Sequence, residues 1–511
     1  MASMYRDRSK SALLELLIAI GFALPCATSA QAIAPTVQPV QPRAGTALLR
    51  AADYGIDIVR IPPTGGSQPF GSHPPALPQN PQGRLLTLPL KAGSQPNEAH
   101  KGWLGAEMDQ LELPLALSLG LDNASGVLIL NAISGGPADQ AGIRFGDVVL
   151  RINGATIANI SDLRQRIASL IPGSEIVLEV RRFASDDGDF AQLLRRLADG
   201  GNSHAMFRLG RLYAAGSGVV RDDGEAVRWF RRGAHAGNVN AMAALAGALL
   251  EGRGTPVNQQ EGLRLLSAAA ARDHAGAMYR LAHILLDGKL TAKDPLEAAR
   301  LLMKAAGAGH APAMVEIGHM YATGNGVQAD ASKAATFYKQ AAELGNAAGM
   351  VDLGWAYEHG TGIEADIAKA AMWYKRAVEL GNSSAMVDLG LFYAQGRSVE
   401  RNEAAAVALY RRAAALGNAM AMNNLAWMLQ SGRGVEHKDP EEAADLMLKA
   451  LDHGNEFARQ RMTKYSSAWS KEFRQALQRR LREAGFYAGS IDGEFRDSTI
   501  TSLNAYINRG R

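Results

Sequence analysis

The stretch APAMVEIGHMYATGNGVQADASKAATFYKQAAELGN (residues 311–346) is followed directly by AAGMVDLGWAYEHGTGIEADIAKAAMWYKRAVELGN (residues 347–382), which keeps the same residue types at the same spacing. The 36-residue unit recurs seven times between residues 203 and 455, with one inserted residue near His437 in the seventh unit. Self-similarity at a period of about 20–50 residues is typical of repeat proteins, in which each unit packs on its neighbours. Two ladders mark the period: Met206, Met242, Met278, Met314, Met350, Met386 and Met422, and Gly216, Gly252, Gly288, Gly324, Gly360, Gly396 and Gly432.

Each unit has the pattern of two helices. In the first unit, Met206, Leu209 and Tyr213 fall on one face of a helix, because residues three, four and seven positions apart share a face. Gly216 ends this helix, since glycine readily takes the left-handed conformation that follows a helix end. The second helix has its own apolar face, made of Ala226, Trp229, Phe230 and Ala234. The sequence therefore predicts an all-α solenoid over residues 203–455, preceded by a capping helix over residues 186–202.

The units resemble Sel-one-like repeats, which are relatives of the tetratricopeptide repeats. The shared pattern is Ala-Met-x-x-Leu-Gly-x-x-Tyr-x-x-Gly-x-Gly-Val, followed by Ala-x-x-Trp/Phe/Leu-Tyr-x-x-Ala-Ala-x-x-Gly-Asn. The resemblance implies an α/α superhelix that acts as a scaffold for protein–protein contacts. Some secreted members carry a disulfide in every repeat and are linked to β-lactam binding. The single cysteine here, Cys26, lies outside the repeats and argues against that branch.

Residues two and five positions after each repeat methionine form a second face of the first helices. The corresponding face lines a concave groove in tetratricopeptide repeats, so the resemblance implies a groove here. Its residues change from basic, at Arg208 and Arg211, to acidic further along. We expect the acidic end to contact a cationic or aromatic segment of a partner, and the alternative is a solvated surface. The candidate groove residues are Glu316, Asp352, Trp355, Asp388 and Trp427.

Four histidines of the repeats predict no metal site. His283 and His319 stand one repeat apart on the groove face without a third ligand, whereas zinc needs at least three protein ligands. His274 and His310 occupy the position at which other repeats end in asparagine. We expect all four to be structural, and the sequence implies no cofactor.

Residues 101–183 have the pattern of short strands. Strand candidates cover residues 126–130, 147–152 and 175–180, and a helix with Ser161 as its N-cap precedes the third. The segment GPADQAGIRFGD (residues 136–147), followed by Ile152-Asn153-Gly154, closely resembles the PDZ domains of HtrA-type periplasmic proteases. The resemblance implies a small β-rich domain.

The same resemblance implies where a peptide binds. GWLGA (residues 102–106) matches the loop in which backbone N–H groups hold the C-terminal carboxylate of a peptide that adds as a strand. Leu163 and Ile167 of the following helix would help to line the pocket for the last side chain. The carboxylate-binding candidates are Trp103, Leu104, Gly105 and Ala106. The alternative is a degenerate PDZ domain that packs against its own repeats.

The N-terminal region is typical of an export signal and a linker. Basic residues precede the nine-residue apolar run Leu16–Leu24, and small residues at 27–32 allow cleavage after Ala30 or Ala32. The run is too short for a transmembrane helix, which needs about 20 residues. Residues 33–100 contain most of the prolines, a composition that favours a disordered linker. The sequence therefore predicts a signal peptide over residues 1–32 and a periplasmic or otherwise exported mature chain without a transmembrane segment.

The segment LQRRLREAGFYAGSIDGEF (residues 477–495) resembles the helical peptidoglycan-binding domain, within a linker and short module over residues 456–511. Arg496 stands where that family has glycine, and the chain stops soon after Tyr506. The module would bind peptidoglycan or only cap the open end of the solenoid, which needs a polar cover. The candidate peptidoglycan-binding residues are Tyr487, Asp492, Gly493 and Phe495.

Charge and motifs restrict the function. Lys plus Arg (54) barely exceeds Asp plus Glu (50), which argues against a nucleic-acid partner. The motifs GxSxG and HExxH are absent from the sequence, as is a phosphate-binding loop. We expect a non-catalytic envelope scaffold that binds partner proteins or peptides with a free C-terminus. The alternatives are a periplasmic regulator of a membrane signalling sensor and, in another class, a cell-wall or β-lactam hydrolase.

Overall fold

The computed structural model describes residues 84–95, 98–133, 135–183 and 187–509. The expected signal peptide over residues 1–32, and the expected linker up to residue 83, lie outside the described residues. A small antiparallel sheet comes first, and a long run of helices follows it. None of the helices in the described ranges combines the length and apolar character needed to cross a membrane.

The N-terminal domain is built on one main sheet. Its strands are β1 (Arg84–Lys91), β2 (Gly93–Gln95), β3 (Glu98–Trp103), β4 (Ala106–Gln110), β5 (Val127–Ala132), β6 (Val148–Ile152), β7 (Ala155–Thr156) and β8 (Glu175–Arg182). The strand order is β1-β8-β6-β5-β4, with β7 paired to β6, while β2 and β3 form a separate hairpin. The helices of this domain are α1 (Leu113–Ser118), α2 (Pro137–Gln140) and α3 (Ile160–Ala168). Strand β4 lies at one end of the sheet.

The domain begins earlier than expected. We expected a linker up to residue 100, and this was wrong for the strand residues from 84 onward, because β1 pairs with β8 along its whole length. Pro89 is compatible with β1 because this strand lies at the sheet edge, where a missing N–H is tolerated. In the adjoining hairpin, Trp103 ends β3 and pairs with Gly93. Helix α3 also begins earlier than expected, with Asn159 rather than Ser161 as its N-cap.

The repeats form the expected helix pairs, and each of these helices has 13 residues. They follow α4 (Asp187–Asp199) and are α5 (Ser203–Ala215) with α6 (Asp223–His235), α7 (Val239–Glu251) with α8 (Gln259–Ala271), α9 (Ala275–Asp287) with α10 (Pro295–Gly307), α11 (Ala311–Thr323) with α12 (Ala331–Glu343), α13 (Ala347–His359) with α14 (Ile367–Glu379), α15 (Ser383–Gln395) with α16 (Glu403–Ala415), and α17 (Ala419–Ser431) with α18 (Pro440–Asp452). The fold class expected for this region, a tetratricopeptide-like solenoid, is confirmed.

Local chemistry sets the boundaries of these helices. Asn202 caps α5 by accepting a hydrogen bond from the N–H of Ala205, and Asp222 caps α6 in the same way. The glycine ladder ends each first helix in the left-handed conformation, as at Gly216 with φ 74°. Small residues let the two helices of a pair approach, since a Cβ on Gly210 would lie 2.5 Å from the Phe230 ring.

One apolar core joins the sheet domain to the repeats. A single buried cluster contains Leu115 of α1 and Leu119 directly after it, Phe190 of α4, and Met206 and Leu209 of α5. Burial of each such side chain stabilises the fold by about 1.5–3 kcal/mol. The sheet domain is therefore packed against the start of the solenoid.

The C-terminal module has a core in common with the last repeat. It consists of α19 (Glu456–Lys464), α20 (Lys471–Glu483) and α21 (Asp497–Asn508). Phe473, Leu477 and Leu503 of this module are buried in one cluster with Met447 and Leu451 of α18. The module therefore covers the end of the solenoid.

Candidate peptide and partner sites

The candidate carboxylate-binding loop is held by its carbonyl groups. The N–H of Ala138 donates to the Leu104 carbonyl at 2.9 Å, and the N–H of Ile133 donates to the Gly105 carbonyl at 2.8 Å. In a trans peptide, an N–H points opposite to the preceding C=O. The N–H groups of Gly105 and Ala106 therefore point away from the segment that holds the carbonyls. Gly105 has φ 70°, a left-handed conformation that lets the chain turn here.

Strand β4 has a free edge next to this loop. Within the described ranges β4 pairs only with β5, and Ala106 lies opposite Ala132. The hydrogen bond to Gly105 flanks this pair, so Ala106 and Ala132 form a non-hydrogen-bonded pair, and the N–H and C=O of Ala106 point outward. Helix α3 lies beside β4, and the Ile160 N–H donates to Gln110 Oε1 at 3.3 Å. A free edge beside a helix is the geometry in which a peptide adds as a strand.

The apolar side chains expected to line a pocket are closed off. Leu104 is 3% exposed, Leu163 0% and Ile167 5%. Leu163 and Ile167 form the face of α3 that packs on the sheet, so both are covered in the chain without a peptide, and their part in lining the pocket stays a prediction. Ala106 and Met108 are only partly buried, so they remain the accessible part of the groove.

The far end of β4 is bound to the first repeat. Arg208 is 4% exposed and donates to the Asp109 carboxylate and to the Gln110 carbonyl. Arg211 donates to the same carboxylate. The expected basic end of the repeat groove is therefore occupied by the sheet domain of this chain. The alternative, in which the sheet domain packs against the repeats of the same chain, holds for this end of β4. Ala106 lies at the other end of the strand and is not part of that contact.

Contacts between neighbouring repeats join the two sets of residues that were expected to form the groove face. His319 Nε2 lies 2.7 Å from Asp352 Oδ2, and Arg280 lies over Gly247, so that a Cβ there would meet its guanidinium. Each contact joins the residue five positions after the methionine of one repeat to the residue two positions after the methionine of the next repeat. Asp352 is 3% exposed, so the alternative of a solvated acidic surface does not hold at this position, and its contact with a partner stays a prediction.

The other expected groove residues differ in their surroundings. Glu316, Trp355 and Asp388 are half-buried, and Trp355 stacks on His359 with ring centroids 4.5 Å apart. These three keep an accessible part on the groove face.

Trp427 does not belong to the acidic part of the groove. The guanidinium carbon of Arg461 lies 5.3 Å from its ring centroid, and Trp469 meets it edge to face at 5.2 Å. Arg461 lies in α19, at the place that corresponds to two positions after the methionine of a repeat. Burial lowers the pKa of this guanidinium to about 10. Sequence reasoning missed Arg461 because the inserted residue shifts the 36-residue register before it.

The four candidate peptidoglycan residues lie together and hold the turn before α21. Tyr487 is buried and donates from its hydroxyl to the Ser490 carbonyl at 2.7 Å. Asp492 accepts from the Glu494 N–H at 2.9 Å, and Phe495 packs against the core. Two further contacts stabilise the turn. The Gly493 N–H donates to Gln478 Oε1 at 2.8 Å, and Arg496 pairs with Asp492 and lowers the pKa of that carboxyl to about 2. Peptidoglycan binding by these residues stays a prediction from the resemblance.

The module also makes ion pairs with the last repeat. Arg480 donates to Asp445, and Arg509 lies 2.7 Å from Asp452. These contacts and the common core are those of a solenoid cap. In the described part of the chain, no group of three or more His, Cys, Asp or Glu side chains is arranged to hold a metal ion.

Comparison with known families matches both main regions. Residues 102–192 match the PDZ domain model, and residues 203–455 match the Sel1 repeat model in seven consecutive units. The two resemblances read from the sequence are thereby confirmed.

The curated relatives described as DegP-like match over the PDZ region. A probable periplasmic serine endoprotease DegP-like of Brucella suis biovar 1 is 31% identical over 128 residues, which are 25% of this chain and 24% of that protein. A protein of the same description from Pseudomonas savastanoi pv. phaseolicola is 40% identical over 82 residues, 16% of this chain and 17% of that protein. The chain spans about a quarter or less of the length of these relatives.

Solved structures resemble the repeat region. A protective antigen of uropathogenic Escherichia coli strains with an SLR fold is 26% identical, with 60% of this chain and 66% of that chain covered and a TM-score of 0.48. A Sel1 repeat protein from Oxalobacter formigenes is 29% identical, with 44% and 91% covered and a TM-score of 0.41.

Proposed function

Because this chain joins a PDZ domain to seven Sel1 repeats, we propose that it is a non-catalytic scaffold of the bacterial envelope. The PDZ domain binds the free C-terminus of a partner, and the concave face of the repeats binds a further part of a protein. The observation that carries the proposal is the outward-pointing backbone of Ala106 at the free edge of β4, beside a loop that aims two N–H groups in one direction.

The loop suits a carboxylate. Successive N–H groups held by a fixed backbone attract an anion without a charged side chain. A peptide whose carboxylate lies at Gly105 and Ala106 would continue along β4, where main-chain hydrogen bonds give affinity and side-chain contacts give specificity. The last side chain would reach Leu163 and Ile167 by displacing the packing that buries them in the chain without a peptide.

Export supports the envelope as the place of action. The N-terminal pattern is typical of a signal peptide, and the curated relatives of the PDZ region are described as periplasmic. N-terminal sequencing of the protein from its own cells should begin at Gln31 or Ile33. An intact Met1 or Met4 would contradict export.

Peptide binding is tested with a pool of ten-residue peptides whose last four residues are randomised. The free-acid pool should bind the full chain, and the same pool with amidated C-termini should bind at least about tenfold more weakly. A hydrogen bond to an ionised group contributes about 1.5–3 kcal/mol, and about 1.4 kcal/mol corresponds to a tenfold change. Equal binding of the two pools would contradict the carboxylate site.

A matched pair of variants tests the loop itself. Ala106→Asp places a negative charge beside the peptide carboxylate, whereas Ala106→Asn adds a side chain of the same shape without the charge. Binding of the free-acid pool should fall far more in Ala106→Asp than in Ala106→Asn, with helical signal and melting temperature similar in the two. Equal losses would show that the site does not sense a carboxylate.

A further inference from the structure

A cavity opens at the start of the repeats, between helices α5, α6, α7 and α9. Its volume is about 370 Å³, within the range of about 300–1,000 Å³ that is usual for ligand pockets. The floor is apolar because α7 presents small side chains there. The floor residues are Phe207, Phe230, Ala243, Ala244 and Ala248.

Arginines surround this cavity. Arg211, Arg253 and Arg280 line it, each half-exposed, and Asp223 is the lining carboxylate. Glu251 pairs with Arg253 at 2.7 Å and approaches Arg280 at 3.5 Å. A guanidinium has five N–H donors, so one carboxylate partner leaves donors for a ligand. An apolar floor beneath guanidinium groups suits an aromatic side chain next to an acidic one.

Two lining residues of the cavity are also bound to the PDZ domain. Arg211 donates to Asp109 at the end of β4, and Asn240 donates to Glu112 Oε1 at 3.0 Å. Through these two contacts the cavity adjoins the end of β4 at which Asp109 lies.

The direction of a bound peptide leads towards this cavity. A peptide with its carboxylate at Ala106 runs antiparallel to β4, so its upstream residues approach Gln110. β4 has five residues, about 17 Å at roughly 3.3 Å per residue. Arg208 already binds the Gln110 carbonyl, so the peptide cannot pair with that group and must leave the strand there, about five residues from its C-terminus.

We infer that the PDZ groove and this cavity form one composite site, which binds the last four or so residues of a peptide on β4 and an acidic and aromatic segment five to eight residues from its C-terminus in the cavity. The inference rests on the proposed function, because the PDZ groove sets the register. The partner is therefore a protein whose C-terminal tail is extended and carries an acidic residue beside an aromatic one upstream of its end.

The test uses twelve-residue peptides with a free C-terminus and the last eight positions randomised, selected on the full chain. Selected peptides should prefer particular residues at the last positions, and aromatic and acidic residues at positions five to eight from the end. The selected peptide should bind at least about tenfold more tightly than its own last four residues alone. No preference at positions five to eight, or equal affinity of the two lengths, would overturn the inference.

Variants distinguish the cavity from the groove. Ala244→Leu fills the cavity from a partly exposed position, and Arg280→Glu reverses a rim charge. Both should weaken the twelve-residue peptide about tenfold and leave the four-residue peptide unchanged. The control Arg228→Glu changes a strongly exposed arginine on α6 outside the cavity and should change neither.

The outcomes separate the two proposals. If peptides show no preference at positions five to eight from the end but still need a free C-terminus, the composite site is overturned and the PDZ proposal stands. Equal binding of amidated and free peptides would overturn the PDZ proposal and the composite register with it.

Discussion

Two histidines cap helices where the other repeats use asparagine. His274 Nδ1 accepts from the Ala277 N–H at 3.0 Å, and His310 Nδ1 accepts from the Ala313 N–H at 3.2 Å. The expectation of a structural role for these two is met by this geometry. Burial lowers the pKa of both imidazoles, and for His310 the nearby His274 lowers it further. Only the neutral ring has a free Nδ1 acceptor, so the caps need unprotonated histidine.

The first prediction concerns acid sensitivity. Because the folded pKa lies below the unfolded value, the contribution of these caps is complete above about pH 6.5 and is lost as the pH falls below it. The double variant His274→Asn and His310→Asn should therefore lose less stability between pH 7.5 and 5.5 than the natural chain. Each cap contributes about 0.5–2 kcal/mol. Urea unfolding at the two pH values measures the difference, and His437→Asn, at an exposed position, is the control. The same acid loss in the double variant would contradict this account.

At the scale of the helix pair, the loop between two helices touches the preceding repeat. Gly362 has φ 72°, and a Cβ there would lie 2.0 Å from the Ala331 carbonyl. Gly254 and Gly326 show the same close approach to the preceding second helix. The second glycine of the loop therefore sets the spacing between successive repeats. Gly381 also has positive φ, at 78°, but open space where its Cβ would be.

The second prediction separates two costs of a Cβ at these glycines: the cost of a left-handed backbone and the cost of contact with the neighbouring carbonyl. Gly381→Ala should destabilise the chain by about 1–2 kcal/mol, the cost of a left-handed residue with a Cβ. Gly362→Ala should cost a further 1–3 kcal/mol or so, because the carbonyl must move. Chemical denaturation of the two variants measures the difference. Equal costs would show that the repeats adjust their spacing freely.

Elements set by local pattern could be predicted from the sequence. The 36-residue period, the caps and the left-handed glycines act within a few residues of one another, so the helix pairs follow from them. Strand β1 could not be predicted in this way, because a proline-rich composition hid a segment whose partner, β8, lies some ninety residues further along. Leu163 and Ile167 were placed on the correct helix, but the packing that closes the pocket depends on the whole sheet.

At the scale of the whole molecule, the PDZ domain and the solenoid meet through a buried charge. Arg208 reaches Asp109 across 99 positions of sequence, and its side chain is almost fully covered. Neither residue belongs to a motif, so the sequence predicts a basic end of the groove but does not indicate that this end is occupied. The part of the groove face that is open to a partner is therefore shorter than the repeats alone predict, because the PDZ domain covers its first part.

The third prediction concerns this junction. Asp109→Ala should destabilise the chain by about 3 kcal/mol. Among the described residues, it leaves the buried Arg208 with Glu112, 4.0 Å away, as its one remaining carboxylate. Arg228→Ala removes an exposed pair with Glu225 and should cost under about 1 kcal/mol. Urea unfolding of both variants measures the contrast. Equal costs would show that the junction is a loose surface contact.

The central claim is that one peptide chain is bound by the PDZ groove and the first repeats together, and methyl NMR of the full chain tests it most directly. The selected twelve-residue free-acid peptide is titrated into protein labelled at alanine and methionine methyl groups. The account predicts that Ala106 and Met108 in the groove and Ala243 and Ala244 in the cavity shift together with one dissociation constant, while Ala371 in the fifth repeat does not shift. The claim is contradicted if Ala243 and Ala244 do not shift, if Ala106 and Met108 do not shift, or if the amidated peptide gives the same shifts.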